Sequence, residues 1–326
     1  MNKVLNQLSA AGIIPVVKIE DVGKAVPLAK ALCDGGINCA EITFRAANAE
    51  KAIKSITDAM PEMLVGAGTV LTTEQADNAV KAGAKFIVSP GFNPKVVGRC
   101  IEQGIPVVPG CSSPSDIEQA LEYDLEVVKF FPAEAMGGIK TIKAIAAPYG
   151  RVSFIPTGGI NEKNVNEYLA FPRVLACGGS WMVGDALIKS GDFGKITALT
   201  REAVRTMLGF ELAHVGINGE NAEQASQIAG MFSVMFGLEY KEGNSSIFAG
   251  RIVEVMKNPF LGENGHIAIS TNCIERAIAY MQSNGFELDT DSAKKDAGGK
   301  LAAVYFKQEI GGFAIHLVQK KGEAEK

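Results

Sequence analysis

A lysine placed inside an apolar strand is the first feature of this sequence that asks for a chemical reason. In Val127-Val-Lys129-Phe-Phe-Pro-Ala-Glu134 the neighbours of Lys129 are hydrophobic. If that lysine points inward, desolvation disfavours its ammonium form and leaves an amine able to attack a carbonyl. The alternative is a lysine at a rim whose head reaches water. A second group lies in Glu41-Ile-Thr-Phe-Arg45, where strand alternation puts Glu41, Thr43 and Arg45 on one face. A carboxylate there is a proton carrier for amine–carbonyl chemistry and an arginine a clamp for an oxo-acid carboxylate, unless the two simply form a surface ion pair. Glycines complete the set in Gly66-Ala-Gly-Thr69, Pro156-Thr157-Gly158-Gly159-Ile160 and Gly178-Gly179-Ser180. Backbone N–H groups at such glycines can approach an anion closely, although tight turns need glycine too.

The three histidines, His214, His266 and His316, all fall in the last third of the chain. Two segments there look like one motif written twice, His214-Val-Gly-Ile and His266-Ile-Ala-Ile, each followed by a helix, a glycine and a final strand. In that register His214 matches His266, and Glu254 matches His316. Four side chains related by a pseudo-twofold of a tandem repeat can converge on one divalent ion, with Zn, Ni, Co, Mn and Fe all suited to imidazole and carboxylate. An ion-free cavity or a structural domain is the alternative.

The elements that must position these groups follow from periodicity. Strand candidates are Ile13–Ile19, Cys39–Arg45, Leu64–Val70, Phe86–Pro90, Pro106–Cys111, Val127–Phe131, Ser153–Pro156 and Val174–Cys177. Between them lie helical patterns, among them Asn48–Met60, Pro94–Glu102, Ser115–Glu122 and Asn161–Ala170, several with Ser, Thr or Asn at the cap. Eight strand–helix units predict an α/β fold, a (β/α)8 TIM barrel, ahead of an open doubly wound sheet. Polar residues cluster at the C-terminal strand ends, from Lys18 to Ser180, the active-site face of a barrel. Residues 209–326 predict an α+β domain of paired βαβββ modules, with a charged, frayed tail at Lys320–Lys326. The expected domains are therefore 1–208 and 209–326.

With 326 residues, 47% apolar and 21% charged, the chain has the balance of a folded globular protein rather than a disordered or fibrous one. A net charge of −4 gives no basic surface for nucleic acid, and no apolar run is long enough to span a bilayer. The N-terminus lacks the pattern of a signal peptide, so a cytoplasmic protein is expected. The six cysteines form no Cys-x-x-Cys pair and read as buried reduced thiols.

Residues Ile13–Leu208 resemble the 2-keto-3-deoxy-6-phosphogluconate aldolases, which also cleave 4-hydroxy-2-oxoglutarate. The collinear motifs are Glu-Ile-Thr-Phe-Arg, Val-Gly-Ala-Gly-Thr-Val, Ser-Pro-Gly, Lys-Phe-Phe-Pro-Ala-Glu, Pro-Thr-Gly-Gly-Ile and Gly-Gly-Ser-Trp. The resemblance implies a homotrimeric barrel and a class I mechanism needing no cofactor, with small 2-keto acids as substrates. It implies that Lys129 forms the Schiff base and Glu41 moves protons. Arg45, Thr69 and Thr157 would hold the carboxylate, and Gly158, Gly159, Gly178, Gly179 and Ser180 the phosphate. Lys18 stands where several relatives carry arginine, keeping the charge but losing the bidentate fork. Residues 209–326 resemble the glyoxalase, bleomycin-resistance and extradiol-dioxygenase superfamily, with trimmed loops. That likeness implies a metal at His214, Glu254, His266 and His316, in an accessory or second catalytic domain. Two other readings stay open: a phosphate-binding barrel isomerase or epimerase, and an aldolase whose C-terminal part is a non-catalytic sensor or assembly module.

Overall fold

Eight parallel strands organise the N-terminal part of the computed structural model, which describes residues 2–320. They are β1 (Ile13–Val17), β2 (Cys39–Thr43), β3 (Leu64–Gly68), β4 (Ile87–Val88), β5 (Val107–Val108), β6 (Val127–Phe130), β7 (Ser153–Pro156) and β8 (Cys177–Gly179). Six pair in the order β5-β4-β3-β2-β1-β8, while β6 pairs with β7. Single bridges, Gly110 to Lys129 and Thr157 to Gly178, link that pair to the two edges of the larger sheet. The sheet thus curls round, and its strands follow one another in sequence order. Every residue of β2 and β3 is buried, as expected of parallel strands covered on both faces. Amphipathic helices supply the outer cover: Ala49–Ala59 buries Ala52, Ile53 and Ile56, and Pro94–Glu102 buries Val96, Val97 and Cys100. Several helices in this unit begin at side-chain caps, Asn93 ahead of Pro94–Glu102 and a reciprocal Ser113–Asp116 capping box ahead of Pro114–Glu122.

Two boundaries differ from the sequence expectation. The eighth strand pairs with β1 only from Cys177 onward, so Gly178 and Gly179 are strand residues and not the turn after it. The helix expected at Asn161–Ala170 is confined to Val165–Leu169. Asn161 and Asn164 turn their side chains back on the preceding backbone instead, a competition that short polar side chains often win against helix.

The chain divides into two compact units at Met207/Leu208. The second unit is mainly sheet: β9 (Glu211–Asn218), β10 (Tyr240–Glu242), β11 (Ser246–Ala249), β12 (Val253–Met256), β13 (Gly265–Thr271), β14 (Leu288–Lys295), β15 (Leu301–Ile310) and β16 (Phe313–Gln319). Helices follow β9 (Ala222–Phe236) and β13 (Ile274–Ser283). The strands form one sheet in the order β10-β11-β12-β9-β13-β16-β15-β14. At its centre β9 and β13 run antiparallel, and each has a parallel partner outside it, β12 or β16. Ala225 and Ala229 of the first helix pack on Ile247 and Val255. The expected frayed tail lies outside the described residues beyond Lys320. Among the described residues no helix is long and apolar enough to cross a membrane.

One substitution at two glycines of the first unit tests this packing, because its sign should reverse. A Cβ on Gly66 would lie 2.3 Å from the ring of buried Phe86, so Gly66→Ala should lower stability by about 1–3 kcal/mol. Gly98 lies within a helix with nothing within 4 Å of its added Cβ, so Gly98→Ala should raise stability by about 0.5–1 kcal/mol. Denaturant unfolding midpoints that move in the same direction would contradict this account.

Candidate active site in the first unit and histidine cluster in the second

A cavity of about 310 Å³ opens at the C-terminal strand ends of the first unit. Lys129 on β6 and Glu41 on β2 meet in it, Nζ to Oε1 at 3.4 Å, with both side chains almost wholly buried. A buried ion pair is a poor device for stability, since desolvation offsets most of the attraction. Its place in a cavity points to chemistry instead. The space for Glu41 comes from Gly68, where a Cβ would sit 2.0 Å from Oε1. Gly66 and Gly68 are therefore strand residues whose missing side chains admit Phe86 and Glu41, and they present no turn to an anion. Lys129 Nζ also stands 5.4 Å from the centroid of Phe131, within reach of a cation–π contact.

The remaining expected residues divide into those that line the cavity and one that does not. Thr43 bonds from Oγ1 to the Val17 carbonyl at 2.9 Å and accepts from Arg45 Nε at 3.3 Å, fixing the base of the arginine whose side chain lines the cavity. Thr69 lines it from a backbone φ of 56°, a strained conformation for a β-branched residue. Thr157 lines it with its Oγ1 buried and without a hydrogen-bond partner, in room left by Gly178. Gly158, Gly159, Gly178, Gly179 and Ser180 form the far wall. Lys18 lies outside the lining and pairs with Glu20 at 2.6 Å. Phe131, Pro90 and Ile160 were not singled out from sequence, because apolar side chains at strand ends look like core.

The turn after β7 is held from behind. The Thr157 carbonyl accepts from Ala133 N and the Gly158 carbonyl from Glu134 N. The Gly159 carbonyl accepts from both Asn161 Nδ2 and Asn164 Nδ2, each at 3.1 Å. Gly158 and Gly159 have φ values of 99° and 83°, which only glycine adopts readily. Glu134, accepting from the Tyr168 hydroxyl, runs its stem beneath Gly159, where a Cβ would meet Glu134 Cγ at 2.4 Å.

In the second unit the four expected ligands occupy four adjacent strands: Glu254 on β12, His214 on β9, His266 on β13 and His316 on β16. Register puts Gly216 between Glu254 and His266, and Ala268 between His214 and His316, so small residues alternate with large ones. A Cβ on Gly216 would lie 2.0 Å from the His266 ring. His266 Nε2 lies 3.2 Å from Glu254 Oε2, and His214 Nε2 lies 3.1 Å from it but off hydrogen-bond alignment. One ligand nitrogen from each histidine falls within 4.8 Å of the others. Burial opposes ionisation of Glu254, but its His214, His266 and Ser246 contacts outweigh burial and hold the carboxyl well below the usual range. Burial first, and then His266 and His214, push His316 down to about 3. Both His316 nitrogens and His266 Nδ1 are buried without a hydrogen-bond partner. The cysteines take no part: burial pushes the Cys39 and Cys111 thiols up to about 12.

An amine held beside a proton carrier at the strand ends of a curled parallel sheet defines the lysine-dependent carbon–carbon lyases. The chain matches the family model for KDPG and KHG aldolase over residues 4–199, and it belongs to that family. A 2-dehydro-3-deoxy-phosphogluconate aldolase of Treponema pallidum is 52% identical over 205 residues, covering 63% of this chain and 98% of the relative. The KHG/KDPG aldolase of Escherichia coli is 44% identical over 197 residues, covering 60% of this chain and 92% of the relative. Among solved structures, the KDPG aldolase of Legionella pneumophila, with pyruvate captured as a covalent carbinolamine, aligns with a TM-score of 0.60 at 40% identity, covering 62% of this chain and 98% of that one.

The fit of Glu41 into the space at Gly68 is open to test. Gly68→Ala should lower aldolase turnover by about 10²-fold or more while the circular dichroism spectrum is unchanged, because the carboxylate loses its position. Wild-type turnover in the variant would show that this space does not set the Glu41 geometry.

Proposed function

We propose that the first unit cleaves 2-keto-3-deoxy-6-phosphogluconate to pyruvate and glyceraldehyde 3-phosphate, and 4-hydroxy-2-oxoglutarate to pyruvate and glyoxylate. The observation that supports this most is the buried Lys129–Glu41 pair at 3.4 Å. The Lys129 ammonium passes a proton to Glu41 and its amine adds to the C2 ketone; Glu41 then gives that proton to the carbinolamine hydroxyl, which leaves as water to give a protonated imine and the Glu41 carboxylate. Glu41 takes the proton of the C4 hydroxyl as the C3–C4 bond breaks, so the aldehyde leaves and the electron pair enters the enamine. Glu41 returns that proton to C3, and water hydrolyses the imine to release pyruvate and the free amine. Arg45, Thr69 and the unpartnered Thr157 hydroxyl hold the substrate carboxylate. Gly158, Gly159, Gly178, Gly179 and Ser180 receive the phosphate. Lys18, expected among the substrate-binding residues, lies outside the cavity paired with Glu20 and has no part in this reading. The carbinolamine reported for the Legionella relative favours this reading over a barrel isomerase or epimerase. Pyruvate with borohydride should leave a reduced adduct on Lys129, found by peptide mass mapping; an unmodified Lys129 under conditions that trap a control aldolase would refute the mechanism.

For the second unit we propose a metal-dependent accessory or second catalytic domain of the glyoxalase type, built as two βαβββ modules. The order of strand, helix and three strands occurs twice and supports it. The donor set fits a divalent ion such as Zn, Ni, Mn, Co or Fe: three imidazoles, of which His316 is kept neutral by burial, one ionised carboxylate, and buried nitrogens with no protein partner. Left unpaired, each such nitrogen costs about 1–3 kcal/mol. His214, Glu254, His266 and His316 would hold the ion, which supplies Lewis acidity toward a bound oxygen. Around it Tyr305 stacks on His316 at 4.3 Å and Phe248 meets His214 edge-on, closing the cluster with rings. Elemental analysis of untagged protein should find about one equivalent, and His266→Ala should lose it. Less than roughly a tenth of an equivalent, not restored by added Zn, Ni or Mn, would overturn the assignment.

A further inference from the structure

The peptide plane ties the direction of a carbonyl to that of the next N–H, because the two point oppositely across a trans peptide. In the turn after β7, whichever group holds a carbonyl therefore aims the following N–H the other way. The Gly158 carbonyl is held by a backbone donor, Glu134 N, which no side-chain substitution removes. Among the described residues the Gly159 carbonyl is held only by side chains, Asn161 Nδ2 and Asn164 Nδ2, each at 3.1 Å. The N–H groups of Gly159 and Ile160 donate to no acceptor among the described residues, and both residues line the cavity. Two successive N–H groups without a protein acceptor, reached through the left-handed pair Gly158-Gly159, make an anion cradle.

We propose that Asn161 and Asn164 are positioning residues that set this cradle and thereby the preference for a phosphorylated substrate. They touch no substrate themselves. Their two amides lock the Gly159–Ile160 peptide so that the Ile160 N–H is turned away from them, and the phosphate accepts from it. The pair is also braced internally: Asn161 N donates to Asn164 Oδ1 at 2.9 Å, and Lys163 N to Asn161 Oδ1 at 2.9 Å. Each side chain thus uses its oxygen to shape the turn and its nitrogen to hold the carbonyl. Without the two donors the peptide is free to rotate, and an unsatisfied carbonyl can face the anion. An unphosphorylated substrate makes no demand on this end of the cavity.

This division of labour makes aspartate the informative substitution, since Asp keeps the oxygen that braces the turn and loses only the donor. The inference rests on the aldolase reading above, and the experiment separates the two. Full-length wild type, Asn164→Asp, Asn161→Asp/Asn164→Asp and Asn161→Ala/Asn164→Ala are assayed with 2-keto-3-deoxy-6-phosphogluconate and with 4-hydroxy-2-oxoglutarate, at low and high salt. Pyruvate–borohydride trapping on Lys129 is run on each. Both double variants should raise KM for the phosphorylated substrate about tenfold, the worth of one hydrogen bond to a charged group, with kcat unchanged. The kcat/KM for the unphosphorylated substrate should stay within about twofold. Raised salt should not restore the Asp variants, which separates lost orientation from simple repulsion. Equal losses on both substrates, a fall in kcat alone, or no change would overturn the proposal. Asn164→Asp keeps the turn's braces, so it reports even where the alanine pair does not fold. A wild type that traps no pyruvate would instead refute the aldolase reading.

Discussion

The first unit is organised around the cost of burying one amine and one carboxylate side by side. Taken separately, either charge would be too costly to desolvate, and taken together they do little for stability. The pair survives because the strands that carry it are fixed independently. β2 and β6 are held by ladders on β1, β3 and β7, and by the helices behind them. Lys129 donates its backbone N–H to Pro109 O, and its carbonyl accepts from Cys111 N, so its main chain is held at the junction where the smaller pair of strands joins the larger sheet. Lys129 therefore sits where the curled sheet is stitched together, and any loosening there would let water reach the pair.

Glycines do comparable work in both units by leaving space. Gly68 admits the Glu41 carboxylate, Gly178 the Thr157 hydroxyl and Gly216 the His266 ring, each within 2.4 Å of where a Cβ would stand. The requirement is steric, since at these three strand positions the clash alone forbids a side chain. The turn glycines answer to a different constraint. Gly158 and Gly159 need positive φ, and their carbonyls must be turned away from the cavity. A sequence shows the same letter in both cases.

That ambiguity explains which parts of the molecule could be read in advance. Lys129, Glu41 and Arg45 were legible because charged residues inside apolar strands violate the hydrophobic pattern, and alternation told which of them share a face. The strand positions of His214, Glu254, His266 and His316 were legible because each lies in a short apolar run, although the intervals differ, 40 residues from His214 to Glu254 and 50 from His266 to His316. Gly66 and Gly68, expected to bring backbone N–H groups close to an anion, instead make room, because the decisive fact is a contact with Phe86 and Glu41, far away in sequence. Asn161 and Asn164 were taken for the start of a helix, since an asparagine that caps a helix and one that holds the preceding carbonyl have the same local pattern. Lys18 was placed by analogy with relatives, and its salt bridge to Glu20 depends on a loop whose path periodicity does not give.

The two units handle buried charge in opposite ways. In the first, an amine and a carboxylate of opposite charge are buried together at the cavity. In the second, burial and mutual proximity suppress charge: protonating His316 would place a cation beside two further imidazoles, and its lone pairs stay available. Glu254 is held ionised by its histidine contacts and by Ser246 Oγ at 2.6 Å, so the cluster presents one negative charge beside three imidazoles. A proton would satisfy that charge only in part, since it can reach two of the groups at most. The three histidines bring one nitrogen each within 4.8 Å of one another, so the divalent ion proposed for this unit would meet more of these donors than a proton can.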